Sequence, residues 1–224
     1  LIYPDPGFIV DKKEDLLGIV LTHAHEDHIG AIAHLWPQLK CKIFATPFTA
    51  VLIKEKLKEK NIDATNYLKI VQLNGTVDLD PFKIEYITLT HSILEPNGLR
   101  IETPAGVILH TGDWKIDPEP LIGEKINSDR LKEIGKEGVL AMICDSTNVF
   151  SMGKAGSELD VRKNLLNIMS SLKKRIVMAS FASNVARMET AFYCAEKTGR
   201  QISLVGRSMH RIFKAARQCG YLKN

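Results

Sequence analysis

The chain has 224 residues, a net charge of +4, 45% hydrophobic and 25% charged residues. This composition is typical of a soluble globular protein, and the length suits one large domain or one domain with part of another. No apolar run approaches the ~20 residues of a membrane-spanning helix, so no membrane segment is predicted. The first residues include neither Met nor the basic and apolar segments of a signal peptide, and we expect an internal piece of a longer protein.

The four cysteines show no C-x-x-C spacing and lie in apolar or helical surroundings. We interpret them as reduced core thiols, which favours a cytoplasmic location over a secreted, disulfide-bonded one. The four positions are Cys41, Cys144, Cys194 and Cys219.

The first part of the chain is rich in short apolar runs. Branched apolar residues at 16–21 predict a buried strand, and residues 29–35 predict a helix that ends before Pro37. The elements predicted next, in chain order, are a strand at 41–45, a helix at 47–60, strands at 67–73 and 82–90, a hairpin of 99–103 and 107–111, and a buried strand at 139–144.

From residue 157 onward the pattern alternates between helices and strands, which is typical of a parallel sheet flanked by helices. We therefore place a domain boundary near residue 150, giving domains 1–150 and 151–224. A sheet of two strands cannot bury its faces, so we expect the second domain to continue. Its predicted elements are a helix that starts at Ser157 or Asp160 and runs to 172, a strand at 176–179, a helix at 185–197, a strand at 202–205 and a helix at 209–219.

The most informative pattern is H-x-H-x-D-H at residues 23–28, directly after the first strand. His23 and His25 are two residues apart in extended chain and point to the same side, while Asp27 and His28 follow where the chain turns into a helix. Imidazole and carboxylate ligands without thiolates fit a catalytic zinc site better than a structural one. Manganese can replace zinc because the donors are nitrogen and oxygen only.

A histidine-rich site needs further ligands from elsewhere in the chain. His91 and Asp113 each come directly after a predicted strand, and a carboxylate such as Asp113 can bridge two metals. Two neighbouring metals suit hydrolysis of a phosphodiester, but equally of a lactam, a lactone or a thioester. The pattern therefore predicts a hydrolase without fixing its substrate.

The roles of several polar residues stay open. His110 either contacts a ligand or packs beneath the site, and Glu26 either accepts a hydrogen bond from a ligand, which we favour, or is solvated. His34 and His210 are interpreted as structural or surface residues. Basic residues concentrated at 54–60 and 200–217 are either solvated helix faces or surfaces for a polyanion.

These motifs resemble those of the β-CASP nucleases in the metallo-β-lactamase superfamily, in the form found in the ribonuclease J family. The resemblance spans essentially the whole chain. It is carried by residues 23–30, 90–93, 110–115, 144–148, 180–184 and 205–209.

The resemblance implies an α/β fold: an incomplete αββα metallo-β-lactamase core followed by the start of a β-CASP βαβα domain. It implies a cytoplasmic enzyme of RNA maturation and decay, with endonuclease and 5′-to-3′ exonuclease activity on single-stranded RNA. It also implies a homo-oligomer, dimer or tetramer, of the full-length protein.

Carried over position by position, His23, His25 and His91 would hold one zinc, and Asp27 and His28 a second. Asp113 would bridge the two metals. Asp27 and Asp145 would be catalytic, Asp145 matching an acidic residue that hydrogen-bonds a catalytic histidine in relatives. The positions expected to contact RNA are Ser183, Asn184, Arg207 and Ser208.

The resemblance also implies further chain on both sides of this sequence. That chain would carry the last ligand of the second zinc and the histidine partner of Asp145, so we expect these 224 residues alone to be inactive. One alternative is a lactonase or thioesterase of the same superfamily, which would lack the region from residue 157. Another is a non-catalytic RNA-binding subunit, against which the retained ligand positions count.

Overall fold

A computed structural model describes residues 2–3, 5–153 and 155–222. Its described part contains two β-sheets. The first sheet has three parallel strands in sequential order, and its strands confirm those predicted near residues 18, 42 and 68. They are β1 (Gly18–Val20), β2 (Lys42–Ala45) and β3 (Leu68–Ile70).

The second sheet has five strands, antiparallel except for the last pair, which is parallel. The predicted hairpin is confirmed as its third and fourth strands. The strands are β4 (Thr76–Leu79), β5 (Phe82–Thr88), β6 (Asn97–Thr103), β7 (Gly106–His110) and β8 (Ala141–Ile143). Sequence analysis missed β4, in which the polar residues Thr76 and Asp78 alternate with the apolar residues Val77 and Leu79.

The helices include those predicted at 47–60, from Ser157 or Asp160 to 172, at 185–197 and at 209–219. Pro47 occupies the first position of its helix, where no backbone N–H is needed, and the Ser157 side chain accepts the Leu159 N–H at the start of the helix that follows it. The helices are α1 (Gly7–Asp11), α2 (Glu26–Ile29), α3 (Ile32–Leu39), α4 (Pro47–Glu59), α5 (Ser128–Glu137), α6 (Glu158–Ser171), α7 (Val185–Lys197) and α8 (Arg207–Gln218). A short 3₁₀ turn, Lys13–Asp15, precedes β1.

The core consists of four layers. Because side chains alternate along a strand, Ile43 of β2 packs against helices while its neighbour Phe44 faces the second sheet. Tyr86 of β5 lies between the sheets, and its hydroxyl donates to the Phe44 carbonyl at 3.1 Å. On the far face, Ile87 packs with Ile134 of α5. The expected αββα arrangement is confirmed.

The last two helices belong to the buried cluster on the helical side of the first sheet, and α8 packs directly on α4. Val185 of α7 and Ile212 of α8 belong to the same buried cluster as Phe48 and Ile53 of α4. The region after residue 157 is therefore attached to the outer, helical side of the first sheet.

The strands predicted at 176–179 and 202–205 are absent from the described structure. Val177 and Val205 are 89% and 86% exposed, so these side chains are not packed in the described structure. The mixed α/β class is confirmed, but within the described residues the later region is helical.

Two further boundaries differ from prediction. Pro37 lies inside α3 rather than after it. The proline removes only the N–H that would reach Ala33, and the last turn is held by Trp36, whose indole N–H donates to the Cys41 carbonyl at 2.9 Å. The second difference is at β8, which was predicted to be buried. All three of its residues are exposed, with Met142 at 60%, and β8 lies at the edge of its sheet.

All four cysteines are free, as predicted, although Cys144 is exposed at the end of β8 and is not a core thiol. Cys41 and Cys194 are buried. Among the described residues, no helix has the length and apolar character needed to cross a membrane.

Candidate metal centre

Loops from both sheets meet at one point. His23 and His25 follow β1 of the first sheet, whereas His91 and Asp113 follow β5 and β7 of the second. Each of these four side chains offers one ligand atom, and the four atoms lie within 4.8 Å of one another. A second such group consists of Asp27, His28 and Asp113. The structure thus brings together all six residues that the sequence proposes as metal ligands.

His25 is at the centre of the first group. Its Nδ1 lies 3.1 Å from Nε2 of His23 and 3.2 Å from Nε2 of His91. Asp113 Oδ2 lies 3.7 Å from Nε2 of both His23 and His91. The other carboxylate oxygen, Oδ1, is 3.2 Å from Nε2 of His28, which is itself 3.6 Å from Asp27 Oδ2. Asp113 therefore faces both groups, one with each oxygen.

The rings of His23, His25 and His91 have lowered pKa values, which favours their uncharged form at neutral pH. Burial and, to a lesser extent, charge repulsion from His28 lower the pKa of His23 to about 2. Burial and then charge repulsion from His91 lower the pKa of His25 to about 4. Burial also lowers the pKa of His91. Converging neutral imidazoles beside carboxylates form a nitrogen and oxygen donor set that fits a divalent metal.

Two residues that sequence analysis missed hold these ligands in place. Thr22 Oγ1 lies 3.0 Å from Nδ1 of His23 and 3.4 Å from Nδ1 of His28. The fully buried Asn97 side chain donates to the Thr22 carbonyl at 3.0 Å. Contacts to the second ring nitrogen orient a metal-binding histidine. Thr22 could have been found from the sequence, because it directly precedes the H-x-H-x-D-H motif.

Glycine is required at the turn before Asp113. Gly112 has φ +56°, and a Cβ there would lie 2.7 Å from the Asn97 carbonyl oxygen. Its N–H donates to Nδ1 of His110 at 3.0 Å. His110 thus holds the backbone directly before Asp113, and among the described residues it forms no hydrogen bond to a candidate ligand side chain.

Asp145 follows β8 and points toward the same end of the sheet. Its N–H donates to Thr111 Oγ1 at 3.0 Å, and its Oδ1 accepts hydrogen bonds from the N–H and hydroxyl of Thr147 at 2.8 and 2.7 Å. These bonds from Thr147 lower the pKa of Asp145, with His91 and His28 contributing, so the carboxylate is charged at neutral pH.

Glu26 forms an ion pair with Lys56 of α4, and its side chain is 67% exposed. The hydrogen bond to a ligand that we favoured is not found among the described residues. His34 is half-buried beside Tyr3, and His210 is exposed, as predicted.

The four candidate RNA contacts lie outside this cluster. Asn184 caps α7 by accepting the Arg187 N–H at 2.9 Å, and Ser183 is half-buried beside it. Arg207 lies 2.6 Å from Glu59 of α4, and Ser208 is exposed. In the described part of the chain none of the four hydrogen-bonds to a candidate metal ligand.

Comparisons with known proteins agree with this arrangement. A family model described as the metallo-beta-lactamase superfamily matches residues 6–169, and a model for the beta-CASP domain of ribonuclease J matches residues 173–224. The chain belongs to the metallo-β-lactamase superfamily. The order of the two matches confirms a metallo-β-lactamase domain followed by a β-CASP domain.

Curated relatives cover the whole chain. It is 39% identical over 223 residues to ribonuclease J of Sinorhizobium meliloti, covering 100% of this chain and 40% of the relative. For ribonuclease J of Corynebacterium glutamicum the identity is 42% over 229 residues, covering 100% and 31%, and for that of Synechocystis sp. 37% over 225 residues, covering 100% and 35%. The chain thus spans between 31% and 40% of the length of these relatives.

A solved protein of unknown function from Enterococcus faecalis V583 shares the fold. The TM-score is 0.60 at 18% sequence identity, with 88% of this chain and 48% of that chain covered.

Proposed function

We propose that the full protein is a divalent-metal-dependent ribonuclease that hydrolyses RNA phosphodiesters, with endonuclease and 5′-to-3′ exonuclease activity in RNA maturation and decay. The observation that carries the proposal is the convergence of His23, His25, His91 and Asp113 in a chain whose last residues match the ribonuclease J β-CASP model. The β-CASP match is what favours RNA over a lactone or thioester.

The proposed ligand roles follow the two groups. His23, His25 and His91 would hold one metal, Asp27 and His28 the second, and Asp113 would face both. We propose zinc, two ions per complete site, with manganese as a substitute because the donors are nitrogen and oxygen. When bound, such ions activate water and offset the negative charge of the phosphate.

The chain's own residues supply orientation and charge. Thr22 fixes the rings of His23 and His28 through their second nitrogens. Asp145, charged and placed near His91, is suited to orient a protonated partner, and Asp27 is exposed at the mouth of the site. We propose both aspartates as catalytic.

Other parts of the proposal rest mainly on the resemblance. Ser183, Asn184, Arg207 and Ser208 are proposed to contact single-stranded RNA, and the full-length protein to form a dimer or tetramer. A boundary near residue 150 is supported by the absence of helix or strand at residues 144–157 of the described structure. The free thiols support the proposed cytoplasmic location.

The deciding experiment compares substrates. Full-length protein is incubated with 5′-monophosphorylated single-stranded RNA and, separately, with a chromogenic lactam, before and after metal removal by a chelator. We expect RNA cleavage that chelation abolishes and added zinc or manganese restores. Lactam turnover without RNA cleavage would overturn the proposal.

A matched pair of variants tests the site itself. His25→Ala should lower cleavage by more than about 100-fold, since it removes a ligand and not merely a group that orients one. RNA binding should persist, because binding rests on other residues. His34→Gln, outside the cluster, should cut RNA at the normal rate. Normal cleavage by His25→Ala would contradict the metal assignment.

A further inference from the structure

The segment after Asp113 also contacts the strand end that carries His91. Lys115 donates its N–H to the Thr90 carbonyl at 2.8 Å, and the Thr90 hydroxyl donates to the Lys115 carbonyl. Asp117 adds its own N–H, which donates to Thr90 Oγ1 at 3.0 Å. Residues 113–117 therefore link two candidate ligands, Asp113 and His91, through one short stretch of backbone.

The Asp117 side chain points the other way, toward α6. It is only 3% exposed. One carboxylate oxygen accepts the N–H of Glu158, the first residue of α6, at 3.1 Å, and the other accepts the N–H of Glu119 at 3.0 Å. Burial alone would raise the pKa of Asp117, but hydrogen bonds from Ser157, Glu158 and Glu119 hold it below its usual range. Asp117 is thus a charged carboxylate at a helix N-terminus, a favourable placement.

We call the contacts between residues 115–119 and the start of α6 the junction, and two further hydrogen bonds strengthen it. Lys115 Nζ donates to the Gly156 carbonyl at 3.1 Å, and Ser157 Oγ donates to the Glu119 carbonyl at 3.1 Å. Beyond it, the Glu158 side chain pairs with Arg187 of α7 at 3.2 Å. The junction thereby reaches the helix that begins beside the candidate RNA contacts Ser183 and Asn184.

We propose that Asp117 is a positioning residue that fixes the His91 and Asp113 side of the metal site to the start of α6. Its backbone N–H holds the strand end before His91, and its carboxylate holds the helix. Removing the carboxylate charge frees the loop that aims Asp113, while every candidate ligand is left in the chain. The catalytic part of this inference rests on the proposed ribonuclease function, whereas the metal-binding part does not.

The test uses full-length protein carrying Asp117→Asn. Zinc affinity is measured without RNA by competition with a chromophoric chelator, and cleavage is measured on 5′-monophosphorylated RNA. We expect zinc affinity to weaken about 10–100-fold, as for groups that orient metal ligands. The kcat should fall by a similar factor while KM stays within about twofold, since RNA contacts are not removed.

Asp160→Asn is the matched control. It also removes one carboxylate charge near the start of α6, but Asp160 is exposed, and its ion-pair partner among the described residues is Lys163, 4.0 Å away. We expect zinc affinity and kcat within about twofold of the parent. Unchanged zinc affinity in Asp117→Asn, with only a lower unfolding midpoint, would show that Asp117 merely stabilises the fold and would overturn the inference.

A second variant, Ser157→Ala, covers the case in which Asp117→Asn does not fold. It removes the hydroxyl beside Asp117, which donates to the Glu119 carbonyl and accepts the Leu159 N–H at the start of α6. Zinc affinity should fall in the same direction by a smaller factor, and an unchanged value would overturn the inference. If the parent protein binds zinc but does not cleave RNA, the proposed function fails, while the zinc measurements still decide the role of Asp117.

Discussion

The two-sheet region and the region from α6 onward differ in how they bury apolar residues. Ile43, Phe48 and Tyr86 of the first region are fully buried between layers. In the second region α7 and α8 each bury residues in the cluster that contains α4, but α6 has no buried residue, and Val177 and Val205, in the segments between helices, are exposed. All candidate metal ligands lie in the first region. The chemistry is therefore placed where packing is complete, and the later region reaches the site through a few polar contacts.

The largest expected effect compares one truncation in each region. Ile43→Ala should lower the free energy of unfolding by about 2–5 kcal/mol, because it leaves a cavity between the first sheet and its helices. Val177→Ala should change it by less than about 0.5 kcal/mol, because the side chain is already exposed. Denaturant unfolding measures both. A large loss of stability for Val177→Ala would show that the 176–179 segment is packed in solution. The difference in burial between the two regions would then be wrong.

A second pair replaces glycines of similar backbone conformation. Gly112 and Gly199 have φ +56° and +65°, but only Gly112 has atoms close to the site of a Cβ. Gly199→Ala should cost about 1–2 kcal/mol for the left-handed conformation alone. Gly112→Ala should cost at least about 1 kcal/mol more, because the methyl group meets the Asn97 carbonyl oxygen.

Unfolding curves and zinc titrations check this pair. Gly112→Ala should also weaken zinc binding, because the turn aims Asp113, whereas Gly199→Ala should bind zinc normally. Equal stability losses in the two variants would mean that the loop at Gly112 relaxes easily.

The smallest expected effect concerns Glu95, which joins the two regions. This buried carboxylate accepts the Phe48 N–H at 2.8 Å and the Tyr221 hydroxyl at 3.0 Å. Burial raises the pKa of Glu95 above 4.5, despite these hydrogen bonds. A raised carboxyl pKa favours folding at low pH, and this contribution is lost as pH rises through the folded-state pKa. Tyr221→Phe should cost about 1 kcal/mol for the lost hydrogen bond.

The pH dependence is tested with Glu95→Gln. The unfolding free energy of the parent relative to this variant should decrease as the pH rises from about 4.5 through the raised folded-state pKa of Glu95, since only the parent titrates at this position. Parallel pH curves for parent and variant would contradict the shift.

Local signals in the sequence account for the elements that were predicted well. Pro47 at the first position of α4 and Ser157 before α6 are both helix-start signals that can be recognised from a few neighbouring residues. The strands at 176–179 and 202–205 were predicted from branched apolar residues, but a strand also needs a neighbour, which composition does not supply.

The candidate site shows the same limit. The motif at 23–28 is short and could be recognised directly, and His91 and Asp113 could be found from their places after strands. Asn97 and Asp117 could not, because the hydrogen bonds that give them a role join residues 75 and 41 positions apart. Such contacts exist only once the two sheets and α6 have come together.

The placement of ligands on both sheets has a thermodynamic consequence. His23 and His25 extend from the first sheet, His91 and Asp113 from the second, so a divalent ion held by all four would fasten one sheet to the other. Such an ion binds the folded chain and not the separated sheets, and at 100 times its dissociation constant it would add about 2.7 kcal/mol to stability. The melting temperature of this protein would then report the free metal concentration around it.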